Sequence, residues 1–202
     1  MPRVLTQSDV ADFRERLCEA ATRLFDSRGR EGFTMRELAN ELGVSAMTPY
    51  RYFRDKDDIL AAVRARAFNR FADLLENAFL DAKTAPEKSA AVYQAYVGFA
   101  FGEPAAYKLM FDLSQPDESD YPELIDASTR AKATMTTYVR ELVKAGILEG
   151  DPELIGRVFW ASLHGAVVLK LAGKLGGDGY DFDQISGESF RILFDGYRSK
   201  KA

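Results

Sequence analysis

The chain has 202 residues, 47% of them apolar and 29% charged, with one Cys, one His and a net charge of −4. This composition excludes a disordered chain and can bury one sizeable core or two small ones. The single Cys18 excludes an intramolecular disulfide and a cysteine-rich zinc site, which together with the lack of a basic-then-apolar leader predicts a cytoplasmic protein.

In chain order, Val10, Phe13, Leu17, Ala20, Ala21 and Leu24 recur at the spacing of one helix face, and Gly29 offers a stop. Cys18 is expected to be a half-buried packing group on that helix. Thr34 followed by Glu37 reads as a capping box opening a second helix, which Gly43 closes. Ser45 is expected to cap a short third helix over residues 46–53. Pro49, at its fourth position, would then remove only the first helical hydrogen bond. Ala46, Met47 and Tyr50 or Arg51 would turn outward, with Val44 and Phe53 as buried anchors. Asp55 caps a long fourth helix from residue 56 to about 82. Two short helices joined by a tight Gly-containing turn describe a helix-turn-helix, whose second helix enters the DNA major groove. The net charge argues mildly against nucleic acid, and residues 1–60 carry ten Lys and Arg against eleven Asp and Glu. Position outweighs the total. From Leu42 to Arg54 there are two Arg and no acid, with Lys56 just beyond and Arg36 one helix earlier, so one face can be positive.

Beyond the long helix every periodic segment again reads as helical. Pro104 can open a short helix, "SQPDESD" reads as a mobile loop, and further helices are predicted from Pro122 to near Gly146 and over residues 152–175. The helix over 152–175 is apolar nearly all round and must be covered on every side. With the last helix it is expected to form a two-fold four-helix dimer interface through Val158, Ser162, Ala166, Val167, Ile185, Ser189 and Leu193. Filling a monomeric core is the alternative. The run "FWASLHGAVVLKLAG", interrupted by His164 and Lys170, reads as too short and polar to span a bilayer, so no membrane is expected. Aromatic and Met residues gather at Tyr93, Tyr96, Phe99, Phe101, Tyr107, Met110 and Phe111; each suits an ordinary core, and together they suggest an apolar pocket. Phe99, Tyr107, Met110, Phe111, Trp160 and His164 are its expected lining, with His164 the polar anchor. One His, no nucleophile elbow, no metal-spaced cluster and no phosphate loop in "GKLGG" predict no catalysis, metal or cofactor.

The stretch "GFTMRELANELGVSAMTPYRYFRDKDDILAAV" resembles the helix-turn-helix of the TetR family of transcriptional regulators, and "AYVGFAFGEPAAYKLMF" and "WASLHG" resemble the regulatory domain of a branch marked by a Trp, a His and a Gly. The resemblance implies an all-α fold with a DNA-binding domain over 1–55 and a ligand-binding and dimerisation domain over 56–202. It implies phosphate contacts by Thr34, Tyr50, Tyr52 and Lys56 and base contacts by Arg36, Thr48 and Arg51, with Ser45 opening the reading segment. Where the family usually has a small residue and then Thr-Leu-Tyr, this chain has Ala46-Met47-Thr48-Pro49-Tyr50, leaving the bases read open. The function implied is a ligand-responsive regulator, foremost a repressor, that binds a near-palindromic double-stranded operator as a homodimer and is released by an apolar or aromatic small molecule. An all-helical small-molecule binder with no DNA role is the other reading.

Overall fold

The computed structural model describes residues 6–29, 32, 34–112, 118–177 and 179–200, and among them the regular structure is helical. Eight α-helices follow in order: α1 (Gln7–Arg28), α2 (Met35–Glu41), α3 (Lys56–Asp81), α4 (Ala85–Gly102), α5 (Pro104–Met110), α6 (Pro122–Lys144), α7 (Pro152–Leu171) and α8 (Phe182–Tyr197). Extended backbone pairs only at an isolated bridge between Leu148 and Arg198 among these residues. The fold is the all-α class that periodicity predicts.

Local chemistry starts and stops these helices. Thr34 Oγ1 accepts the Glu37 N–H at 3.2 Å while Glu37 accepts the Thr34 N–H at 2.8 Å, so the predicted capping box opens α2. The same device opens α1 at Thr6 and Asp9, α4 at Thr84 and Glu87, and α8 at Asp181 and Gln184. Asp55 accepts the Asp58 N–H at 2.8 Å at the start of α3. Gly29 and Gly43, at φ +69° and +66°, take the chain out of α1 and α2 through a conformation that a side chain would strain.

The chain divides into two compact units, Met1–Asn69 with Ala105–Ser128 and Arg70–Pro104 with Thr129–Ala202, so the three divisions fall inside α3, α5 and α6. The first unit is built on Leu17, Ala21 and Leu24 of α1, Leu38 of α2, Phe53 between the helices, Ile59 and Val63 of α3, and Leu109 of α5. Cys18 belongs to this core and is buried rather than half-buried; loss of water pushes its thiol up to about 11, which leaves it inert. Buried Arg64 donates to Glu118 at 2.7 Å and Ser128 donates to the same carboxylate at 3.1 Å. These bonds correct part of the mobile-loop expectation: residues 114–117 lie outside the described residues, but Glu118–Asp120 is a tethered 3-10 turn.

In the second unit Phe71 of α3 packs on Tyr96 and Phe99 of α4, with ring centres 5.3 and 5.1 Å apart. Arg130 of α6 holds Asp73 at 2.6 Å and Glu76 at 2.5 Å. α7 lies along α8, with Phe159 and Phe190 5.3 Å apart. α7 stops at Leu171, four residues before the expected end, because Ala172 donates back to Val168 and Lys170 and Gly173 turns at φ +67°. As a continuous helix from Pro152, α7 is by length and composition alone long and apolar enough to cross a membrane, a test that the core helix of a soluble protein also passes.

Candidate functional site

The reading segment differs from its expectation in one respect that matters. Residues 46–53 do not form an α-helix; tight turns lead into a single 3-10 turn, Pro49–Arg51. The reason lies at Pro49. An α-helix capped by Ser45 would begin with a bond from the residue-49 N–H to the Ser45 carbonyl, and proline has no N–H. Thr48 takes that carbonyl instead at 2.8 Å, and the 3-10 pattern continues with Arg51 to Thr48 at 3.1 Å and Tyr52 to Pro49 at 3.0 Å. Ser45 Oγ accepts from Met47 at 3.3 Å, capping a turn in place of a helix.

A segment this short has little helical cooperativity of its own and must be fixed from behind. Pro49 is buried and Phe53 is 3% exposed, while Val44 is only half-buried. The Phe13 ring of α1 packs on Tyr52 at 4.8 Å. Arg14, which sequence reasoning passed over, donates to the Tyr52 carbonyl at 2.6 Å and sets its guanidinium 4.2 Å from the centre of the Phe53 ring. It thereby satisfies a carbonyl that the aborted helix leaves open. An Arg next to Phe13 on the inner face of α1 was the available sign.

The outward side carries what the sequence placed there. Met47 is 68% and Tyr50 48% exposed, and Ala46, Arg51, Arg36 and Ser45 are exposed beside them. Thr48, Tyr52 and Lys56 are half-buried. Arg36 and Arg51 make no ion pair with the described residues, whereas Arg54 is tied to Asp58 at 3.2 Å. The Thr34 hydroxyl and N–H are both engaged by Glu37, and these bonds with the nearby Arg28 hold the Glu37 carboxyl below its usual range.

In the second unit a cavity of about 40 Å³ lies among α4, α6, α7 and α8, walled by Tyr96, Tyr138, Phe159, Trp160 and Leu193 among others. An open apolar groove of about 420 Å³ runs outside it between α4 and α8, and Ser89, Tyr93 and Phe190 line both. Of the six residues named as lining, Trp160 stands on these walls, and Tyr93 and Tyr96 of the wider aromatic set stand there with it. Phe99 is buried against Phe71 within this unit. Tyr107, Met110 and Phe111 belong to the first unit, where Phe111 packs on Phe68 at 5.8 Å and Tyr107 at 5.0 Å. His164 stands 3.4 Å from the Tyr96 hydroxyl with its ring 5.7 Å from Trp160, and burial lowers its pKa. Of the expected interface residues, Ala166 and Val167 are buried within the single chain and offer a partner no surface. Leu193 turns to the inner cavity, and Val158, Ser162, Ile185 and Ser189 are half-buried. Leu154, Val168, Leu169 and Ile192 are the exposed large apolar side chains of α7 and α8. No group of three His, Cys, Asp or Glu among the described residues could hold a metal ion.

Comparison with known proteins matches residues 17–63 to the family model described as bacterial regulatory proteins, tetR family, and residues 89–196 to that described as tetracyclin repressor-like, C-terminal domain. The chain belongs to the TetR family of transcriptional regulators. Among TetR-like relatives, an uncharacterized HTH-type transcriptional regulator of Mycobacterium tuberculosis is 29% identical over 174 residues, 85% of this chain and 75% of its own. An HTH-type transcriptional regulator of Staphylococcus aureus is 40% identical over 65 residues, so the match spans 32% of this chain and about a third (35%) of that relative's length. A Rhodococcus sp. RHA1 protein of unknown function superimposes with a TM-score of 0.80 at 27% identity over 98% of this chain and 100% of that one. FadR of Bacillus subtilis, solved in complex with stearoyl-CoA, shares the fold with a TM-score of 0.74 at 20% identity over 91% and 99% of the two chains. The family match over residues 17–63 thus covers α1 from Leu17 on, α2, the reading segment and the start of α3, whose buried side chains meet in one core around Phe53.

Proposed function

We propose that this TetR-family protein is a ligand-responsive transcriptional regulator, foremost a repressor, which binds a near-palindromic operator as a homodimer and is released by an apolar or aromatic small molecule. The observation that carries the reading is the segment Tyr50-Arg51, exposed on a 3-10 turn held from behind by Arg14 and Phe53, with exposed Arg36 on α2. Arg pairs bidentately with guanine O6 and N7, and hydroxyls and Lys56 bind phosphate oxygens. Residues 1–55 read DNA in this scheme and residues 56–202 take the effector and the partner. Trp160, His164 and Gly165 support a place for the latter in the branch marked by those residue types. The exposed Leu154, Val168, Leu169 and Ile192 supply a two-fold interface of α7 and α8. The stearoyl-CoA held by FadR in the same fold supports an effector with an apolar body. The effector acts by binding more tightly to the dimer whose reading segments are off the operator spacing, since equal affinity for both states shifts nothing. The protein works in the cytoplasm, without a catalytic step.

Fluorescence anisotropy with duplex from the gene's own upstream region, across a salt series, tests this. Arg51→Ala loses about 1–3 kcal/mol on the selected site and relaxes the choice at one base pair. Lys56→Ala weakens all sequences alike and flattens the salt dependence. Both variants titrating like the parent would sink the docking scheme, and a parent that binds small molecules but no duplex would favour the helical ligand carrier.

A further inference from the structure

We propose that the groove between α4 and α8 is a binding site for a neutral, apolar small molecule bearing one hydroxyl or carbonyl group, which hydrogen-bonds to Ser89. Ser89 is 6% exposed, and its Oγ has no hydrogen-bond partner among the described residues. A buried hydroxyl left unpaired is costly, and folded proteins rarely leave one without a reason. This one lies on the wall common to the groove and the inner cavity, so a polar group at the inner end of a ligand in the groove meets it. The Tyr93 hydroxyl, on the same wall, is engaged by Ser186 3.0 Å away across α4 and α8.

The remaining walls define the ligand class. Ala90 and Tyr93 of α4, Leu142 of α6, and Gly187, Phe190 and Phe194 of α8 present an apolar surface, and no charged side chain among the described residues lines it. A carboxylate entering the groove would lose its hydration with no cation to replace it, whereas an alcohol or ketone would lose little. A hydroxyl both donates and accepts, so Ser89 suits either. The groove, about 420 Å³, lies in the range of small-molecule sites. A partner helix is the poorer occupant. Gly187, Phe190 and Phe194 share one face of α8 at helical spacing, and the exposed Ile192 falls on the opposite face.

Binding here deepens the effector reading above and rests on it only for its consequence at the operator. The test uses the full chain with 1-octanol and octanoate. It reads the emission of Trp160, the only Trp, on the wall of the inner cavity, and the thermal midpoint. Octanol is expected to change the emission saturably and raise the midpoint, with octanoate at least about tenfold weaker at pH 8. Ser89→Ala should hold or raise the parent's midpoint without ligand, because it removes a buried unpaired hydroxyl, and bind octanol about three- to tenfold more weakly, the measure of one hydrogen bond. Gly187→Phe, at a position where a Cβ meets nothing within 4 Å, should fold normally and abolish octanol binding by filling the groove. A parent that ignores octanol, octanoate binding as well as octanol, or both variants binding like the parent overturns the proposal. Operator titration in parallel separates the two readings: saturable octanol binding with unchanged operator affinity supports the site and refutes its regulatory role.

Discussion

Arg14 shows how one side chain can stand in for missing secondary structure. It occupies the Tyr52 carbonyl at 2.6 Å and lies over the Phe53 ring, two contacts that orient the reading turn without reaching its outward face. Arg14→Met keeps the apolar stem and removes the donors, so urea denaturation should show a loss of about 1–2 kcal/mol. Binding to the selected operator should fall more than binding to random duplex, with the salt slope unchanged, because no phosphate contact is lost. Equal losses on both duplexes would mean that Arg14 supports the fold alone. His164 makes a pH-dependent contribution. Burial lowers its pKa below the ordinary 6.5, so the unfolded chain takes up a proton before the folded one as pH falls. The stability this contributes is complete above about pH 6.5 and is lost as pH drops through the folded value. The difference in thermal midpoint between the parent and His164→Gln should therefore shrink from pH 7.5 to pH 5, and a constant difference would contradict the burial effect.

Among the elements, α7 and α8 show that glycine in a helix can be a packing device or a vacancy. A Cβ on Gly156 of α7 would stand 2.7 Å from Thr136 Cγ2 and 3.0 Å from the Met135 carbonyl of α6, and backbone cannot yield as a flexible side-chain tip can. Gly156→Ala should thus cost about 1–2 kcal/mol in denaturant melts, overpacking outweighing the better helix propensity of Ala. Gly187 of α8 faces open space, and Gly187→Ala should stabilise by about 0.5–1 kcal/mol. Either sign reversed would mean that the two helices sit differently on their neighbours. The predicted capping box at Thr34 and Glu37 was legible because both partners lie within one turn, and the 3-10 turn at Pro49 was not. The loss of one bond was correctly located there, but its weight depended on how few residues remained to propagate a helix.

For the whole molecule, the proposed dimer turns on which apolar residues one chain leaves uncovered. Ile192 is 55% and Leu169 44% exposed, whereas Val167 is 0% exposed. Ile192→Glu with Leu169→Glu should leave the circular dichroism and thermal cooperativity of a folded chain while sedimenting as a monomer at micromolar concentration. Val167→Glu should unfold it, because a buried unpaired carboxylate costs several kcal/mol. A parent already monomeric at that concentration would remove the interface. The periodic pattern marked α7 as apolar all round, and only packing told the side facing α4 and α8 from the side left open.

The sequence by itself determined the helices other than the reading segment, most of their ends, the outward turn of Ala46, Met47 and one or other of Tyr50 and Arg51, and the family resemblance. Each of these rests on groups no more than about four residues apart, where hydrogen-bond geometry and side-chain spacing act without help from the rest of the chain. Tertiary structure decided that Phe99 and Trp160 belong to one compact unit and Tyr107, Met110 and Phe111 to the other. It also decided that Val167 is core, that Arg14 anchors the reading turn, and that Ser89 keeps an unpaired hydroxyl beside a groove. Burial and pairing at these positions come from residues far along the chain, as Tyr93 with Ser186 and Arg14 with Tyr52 show, and no local pattern encodes which distant surface will close over a given side chain.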